Sequence, residues 1–388
     1  MSPSDRPSPA HQRPSGVLAR LRARLGRLER RRRMALVGGG AALAVVVVGG
    51  VVAGIALTGS PAAPRHRPRS TTTTTTTVKA HVTRVDHHLC PLTGVPAGHG
   101  TVPRRPAIGV KIGNDPNSRP QTGLLDADIV YEEMAEGGIT RYLAVFQCRQ
   151  APVIGPVRSV RWDDWHVLHS FGHPILAFSG GIDQWDNVVA HLHWLYDANG
   201  SFYPMANAYY RTANRVPPWN YYTSTAALWK LDPTNRTPPP AQFRYAKDPA
   251  PTATRLRAAT LVSFAGGLDV VWKWDSGAGA WERFYGSQPD TDSSGQQLHA
   301  TNVVIQMVHT FPGPYPESGL TPDTISVTKG SGVAYVLRDG KLETGTWTTP
   351  KYGDTMDLRL PDGKPMALEP GTTWVEMVPN GYAVQFTR

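Results

Sequence analysis

The stretches Arg-Pro-Ala-Ile-Gly-Val-Lys-Ile-Gly-Asn (105–114) and Ala-Asp-Ile-Val-Tyr-Glu-Glu-Met-Ala-Glu-Gly-Gly-Ile-Thr-Arg-Tyr-Leu-Ala-Val-Phe-Gln (127–147) decide the fold. Within them Ala107 to Ile112, Asp128 to Met134 and Thr140 to Gln147 are short β-like runs bounded by Gly, Pro or Asn turn signals, and they read as strands. Ser159 to Ser170 carries Val160, Val167 and Leu168 near Trp162 and Trp165, which predicts a helix with Ser159 as its N-cap. Pro174 to Phe178 reads as a buried strand ended by Gly180 and Gly181, and Thr223 to Leu231 as a short helix behind a Ser/Thr cap.

A proline-rich stretch, Pro233 to Pro251, then marks the internal boundary. Beyond it the pattern is almost entirely β: Leu268 to Trp274, Trp281 to Tyr285, Asn302 to His309, Gly332 to Arg338, Lys341 to Thr348, Thr372 to Val378 and Tyr382 to Phe386. Asp339-Gly340 between two of these runs signals a hairpin. The expected fold class is α+β, with a layered sheet-and-helix N-terminal domain over 90–240 and a smaller β-rich C-terminal domain over 252–388.

The first ninety residues are of another kind. Residues 1–33 hold ten Arg against Asp5 and Glu29, whereas 34–57 lack any ionisable side chain. Such a run is long enough to span a bilayer as one helix, and Arg30 to Arg33 before it predict a cytoplasmic tail and an extracytoplasmic body. A cleaved signal peptide is the alternative, with small residues at Ala53, Ala56 and Ala62, but this apolar core and leading tail are long for one. No Cys follows the run closely enough to be acylated. Residues 58–89 form a stalk in which Pro61, Pro64 and Pro68 precede an unbroken Thr71 to Thr77. A composition that cannot bury a core acts as a spacer, here with a reach on the order of 60 Å.

The net charge of +10 would ordinarily suggest nucleic acid, so its location matters. Residues 1–89 carry 15 Lys+Arg against 3 Asp+Glu, leaving 25 against 27 for 90–388, so the body is close to neutral and no nucleic-acid partner is expected. Leu18, Leu21, Leu25 and Leu28 recur at helical spacing among the tail arginines, as in a helix lying on an anionic membrane surface; a disordered tail is the alternative. The two cysteines, Cys90 and Cys148, both lie in the body, where an oxidising compartment favours a bridge over a free thiol nucleophile.

Several motifs occur in a telling order: Cys90-Pro-Leu-Thr-Gly94, the 105–114 stretch, Arg119-Pro-Gln-Thr-Gly-Leu124, Ala127 to Glu133, Glu136-Gly-Gly-Ile-Thr-Arg141, and Ile154-Gly-Pro-Val-Arg-Ser159 with Arg161. Asn220-Tyr-Tyr-Thr-Ser224 and Asp362-Gly-Lys-Pro-Met366 with Pro370-Gly-Thr-Thr-Trp374 complete the set. Over about residues 90–388 this sequence resembles the YerB-like family of bacterial envelope proteins. The resemblance implies an N-terminal α/β part, a smaller C-terminal β part, export as a lipoprotein or anchored protein, and no established activity. The chain departs from lipoprotein members in lacking the acylated Cys.

Chemistry is densest around Glu132, Glu133, Glu136 and Arg141, followed by Arg158, Ser159, Arg161, Asp163 and Asp164. Glu133 and Glu136 are candidates for paired acid and base. Arg141, Arg158 and Arg161 suit fork-like contacts to an anionic ligand, and Ser159 at a helix start would add backbone N–H donors. The alternative is that these groups pair with one another. A second cluster, Tyr209, Tyr210, Arg211, Arg215, Trp219, Asn220, Tyr221 and Tyr222, suits sugar rings or flat polar ligands, or simple packing. His166 and His169, with His173, His191 and His193 nearby, lack a fixed ligand set, so neither a metal nor any other cofactor is expected. The expected function is a membrane-anchored, extracytoplasmic binding or accessory protein whose partner is a wall component or envelope protein. The competing expectations are an enzyme acting on wall glycan or peptide through Glu133 or Glu136, and a structural partner in an envelope assembly.

Overall fold

The structure, a computed structural model, describes residues 88–317 and 321–388. The basic tail 1–33, the apolar run 34–57 and the stalk up to residue 87 lie outside the described residues. Among the described residues no helix is long and apolar enough to cross a membrane.

The N-terminal half of the body supplies strands β1 (Ile108–Gly113), β2 (Ile129–Met134), β3 (Thr140–Phe146), β4 (Ile175–Phe178) and β5 (Tyr196–Asn199). A small hairpin follows, β6 (Tyr209–Arg211) and β7 (Tyr221–Thr223). Three short helices come from the same half: α1 (Trp162–Leu168), α2 (Asp183–Ala190) and α3 (Thr225–Trp229). The C-terminal half opens with β8 (Thr254–Arg255), β9 (Ala258–Ala265), β10 (Leu268–Asp275), β11 (Ala280–Tyr285), β12 (Gln288–Pro289) and β13 (His299–Ala300). It continues with β14 (Asn302–Glu317), β15 (Thr321–Val327), β16 (Gly330–Arg338), β17 (Lys341–Thr349), β18 (Asp357–Arg359), β19 (Thr373–Pro379) and β20 (Val384–Thr387).

One large sheet runs in the order β18-β17-β16-β14-β19-β2-β3-β1-β4-β5. β19 is parallel to β14 on one side and to β2 on the other. The segments 90–240 and 252–388 therefore share a sheet, within a single compact unit spanning His81–Arg388. The sequence break at 241–251 divides the chain and not the core, because the last wide strand of the second segment is laid beside the first segment's β2. A smaller antiparallel sheet, β12-β11-β10-β9-β20, forms a second layer.

Alternation along each central strand decides what faces where. Ile108, Val110 and Ile112 of β1, Tyr142 and Ala144 of β3 and Trp374 of β19 face the small sheet, meeting Trp272, Trp281 and Leu261. Leu143 and Val145 of β3, Val375 and Met377 of β19 and Leu176 of β4 face the other way, onto Trp165 and Leu168 of α1 and Trp185 and Val189 of α2. The result is small sheet, central sheet and helices in three layers. The body is mostly β with few helices, a more strand-rich fold than the expected α+β layering.

The Asp339-Gly340 turn joins β16 to β17 with φ of +48° and +62°, the left-handed pair that a two-residue hairpin demands. Ser224 caps α3 by accepting from the Ala227 N–H at 3.2 Å. At α1 the structure corrects the expected start: Ser159 is not the N-cap. The Val160 N–H donates to Gly180 O and the Ser179 N–H to Arg158 O, which holds 158–160 extended. The helix begins only after Arg161, where Asp164 reaches back to accept from the Arg161 backbone N–H at 2.6 Å. Helix α2 and strands β9 and β15 had no clear signal in the sequence.

Candidate functional site

Glu132 and Glu133 are neighbours on β2 and so project to opposite faces of the central sheet. Toward the small sheet, Glu132 Oε2 accepts from Arg283 Nη2 at 2.6 Å, while Oε1 accepts from Thr140 Oγ1 at 2.6 Å and Asn114 Nδ2 at 3.1 Å. Arg283 also binds Asp290, and its Nε lies 3.9 Å from Glu376 Oε1, which accepts from Trp272 Nε1 at 2.8 Å. Burial first, then the charge on Glu132, raises Glu376 well above the carboxylate range. Arg283 ties the sheets together by charge where apolar side chains do so elsewhere.

Toward the helices, Lys111 of β1 bridges Glu133 and Asp164, the latter at 2.9 Å, and all three are fully buried. One cation faces two carboxylates. Burial, and next the Asp164 charge, pushes Glu133 up from 4.5 to about 8. Asp163 accepts from the Ser326 N–H at 2.9 Å, locking β15 onto α1, and burial raises it as well.

Glu136 sits in the tight turn after β2, where Gly137 and Gly138 take φ of +65° and +77°. Its Oε1 accepts from Arg141 Nη2 at 2.6 Å and its Oε2 from Arg161 Nε at 2.9 Å and Nη2 at 2.5 Å. Burial alone would raise this carboxyl, but Arg141 and Arg161 outweigh it and hold it at about 2. Arg141 Nη1 donates to Ser159 O at 2.8 Å, Arg161 Nη1 to Val160 O at 2.8 Å, and Arg161 Nε lies 3.5 Å from Asp323 Oδ1. Glu133 and Glu136 are thus held by different cations. Ser159 contributes a carbonyl and not a helix N-terminus.

Arg158 differs from its two neighbours. Its side chain runs past Gly113, where any Cβ would meet Ser118 Oγ at 2.2 Å and Arg158 Cγ at 2.7 Å. Arg158 Nε makes no hydrogen bond and lies 4.0 Å from Asp115 Oδ2. Trp219 donates from Nε1 to Asp115 Oδ1 at 2.7 Å, and its ring lies 6.0 Å from the Arg158 guanidinium carbon. The two clusters read from the sequence therefore meet through Arg158, Asp115 and Trp219. This junction lies at the carboxyl ends of the parallel strands β1 and β4, the edge at which open α/β sheets bind ligands.

Most of the second cluster is occupied in holding its own loops. Arg215 donates to the carbonyls of Asn117, Ser118 and Pro120 at 3.2, 2.9 and 2.6 Å, tying the β6–β7 hairpin to the turn after β1. Arg211 donates to Asn220 Oδ1 at 2.7 Å and lies over the Tyr221 ring at 4.7 Å. Tyr222 and Asn220 are buried, but Tyr210 remains exposed. His166 stacks on Trp162 and His169 on Trp194, with centroids 4.5 and 4.2 Å apart. Among the described residues no three His, Cys, Asp or Glu side chains are grouped so as to hold a metal ion. Cys90 and Cys148 form a disulfide. The partners that sequence reasoning missed are Lys111, Arg283 and Asp323. Lys111 and Asp323 are each a lone charge in a β-rich run, a pattern that signals an inward ion pair without naming its mate, whereas Arg283 follows Glu282 and gives no such signal.

Sequence profiles of a family described as a protein of unknown function (DUF3048) match this chain in two parts, the N-terminal domain at residues 92–237 and the C-terminal domain at 260–375, together more than half of the chain. A Bacillus subtilis protein described as "Putative lipoprotein YerB" is 28% identical over 303 residues, which is 75% of this chain and 86% of that protein. The crystal structure of YerB from Bacillus subtilis has the same fold, with a TM-score of 0.64 at 23% identity over 77% of this chain and 99% of that one.

Proposed function

Because the chain belongs to the DUF3048 family, we propose that it is an extracytoplasmic accessory protein that binds a cell-wall component or another envelope protein. A lipoprotein holds its body against a membrane by an acyl anchor, and a relative carries that description. In this chain the uncharged run 34–57 would do the same as a single span, with Arg30 to Arg33 on the cytoplasmic side.

The observation that carries the binding reading is the contrast among the charged groups. Glu133 keeps its proton to about pH 8 but is sealed against Lys111 out of a substrate's reach, and Glu136 is clamped between two arginines and held at about 2, so neither can hand a proton to a bound substrate near neutral pH. Arg158, whose Nε makes no hydrogen bond and only a 4.0 Å ion pair with Asp115, lies beside Trp219 at the carboxyl ends of β1 and β4, a pairing suited to a carboxylate or a flat polar group.

Co-sedimentation of residues 81–388 with isolated cell-wall sacculi tests this, with pellet and supernatant both assayed. Protein in the pellet without released fragments supports binding, and Arg158→Ala should weaken it by roughly tenfold. Fragments that disappear with Glu136→Gln would favour the enzyme instead. If the protein stays in solution, the wall ligand is rejected in favour of an envelope-protein partner.

A further inference from the structure

On the helix side of the central sheet, a cavity of about 40 Å³ lies between α1, strands β2 and β14, and the loop after β17. That is room for more than one water, since a single water needs about 10–15 Å³. Tyr131 and Gln306 line it, with Thr328, and these side chains are only 6%, 4% and 9% exposed. Thr328 Oγ1 has no hydrogen-bond partner, and the Tyr131 hydroxyl and Gln306 amide bond to none of the described residues. Buried hydroxyls are almost always paired, so the orphaned Thr328 Oγ1, beside two further polar groups that the described residues leave without a hydrogen bond, points to a polar guest.

The remaining wall narrows the guest. Val167, Phe243 and Met356 add an apolar side, which water would not need. The lining is largely uncharged: burial lowers His166 to about 4, leaving it neutral near pH 7, and Asp354 lies at the rim paired with Lys351 at 3.9 Å. At the mouth the rings of His166 and Tyr352 lie 4.4 Å apart, with Tyr352 37% exposed and Trp162 stacked behind His166. A compact neutral group with one donor, one acceptor and a methyl, attached to a ring that can lie on an aromatic surface, meets all of these features.

We propose that this cavity binds the acetamido group of an N-acetylated amino sugar, with Gln306 and Thr328 hydrogen-bonding the amide, Val167, Phe243 and Met356 around its methyl, and the Tyr352 ring against the pyranose. Strands β2 and β14 come from the two halves of the chain, so the cavity exists only when both are assembled.

The test is titration of the full chain with N-acetylglucosamine, with glucose as the control that lacks the acetamido group, followed by tryptophan fluorescence and by saturation-transfer NMR on the acetyl methyl. The expected result is a saturable response to N-acetylglucosamine, none to glucose, and affinity weakened roughly tenfold by Gln306→Met. Tyr352→Ala, at an exposed position, gives the same readout should the Gln306 variant fail to fold. No saturable response, or equal responses to both sugars, overturns the proposal. Because the probe is a soluble sugar, the outcome is separable from that of sacculus binding. Pelleting without a response to the sugar rejects this site alone, and the converse rejects only the wall reading.

Discussion

At the scale of single residues, the central fact is that Lys111 serves two carboxylates. One positive charge cannot neutralise both in a dry interior, so Glu133 keeps its proton to about pH 8, well above its ordinary 4.5. A carboxyl raised by folding favours the folded state fully below 4.5, and that advantage is lost as pH climbs toward 8. Glu136 has the opposite sign: held at about 2, it favours folding above 4.5 and loses on the order of 3 kcal/mol as pH falls to 2. Denaturation midpoints measured from pH 4 to 9 should therefore decline toward alkaline pH in the native chain and hold flatter in Glu133→Gln. An unchanged slope in that variant would show that Glu133 is not the group whose proton is lost. In the sequence, Glu132, Glu133 and Glu136 look like one acidic patch. The alternation of β2 and the turn after it send them to separate cations, Glu132 to Arg283, Glu133 to Lys111 and Glu136 to the Arg141 and Arg161 pair, which spacing alone cannot reveal.

At the scale of elements, the strand pattern was the legible part. Ala107 to Ile112, Asp128 to Met134 and Thr140 to Gln147 fall on β1, β2 and β3 to within a residue or so, because apolar runs ended by Gly and Asn leave few alternatives. Helix α2 was missed because Asp183 to Ala190 carries only Trp185 and Val189 as buried anchors, too sparse a stripe to read. β15 was missed because its partner surface is α1 and the far end of β14 rather than the sheet interior. Gln306 did carry a signal: an amide within Val303-Val304-Ile305-Gln306-Met307-Val308 breaks an apolar strand for no packing reason. The segment that precedes β1 is fixed to the end of β3 by the Cys90–Cys148 bridge, across 58 residues of chain. Removing it with Cys90→Ser and Cys148→Ser should cost roughly 4 kcal/mol in the chain-entropy account, read as a lower urea midpoint. A midpoint unmoved by reduction would mean that the packing of Ala97 and Val102 already closes that loop.

At the scale of the whole molecule, β19 decides the architecture. Trp374 meets Tyr142 and Trp272 edge-on, each with centroids 5.3 Å apart, so strands from both halves converge on one indole. A protease nick within 241–251 of the folded protein should leave two fragments that co-elute in gel filtration, whereas 81–250 and 251–388 made separately should each lack near-ultraviolet circular dichroism. A folded 81–250 fragment would contradict a shared core. The same strand sets a timetable. Made from its N-terminus, the chain completes β2 roughly 240 residues before β19 arrives to lie beside it, a long-range pairing of the kind that slows folding. Until residue 379 has emerged, whether from the ribosome or from a translocation pore, the facing edges of β2 and β14 stay open to strands of other chains. The hazard of aggregation is therefore concentrated in the interval before the chain's last fifteen or so residues are delivered, and it ends when β19 closes the gap.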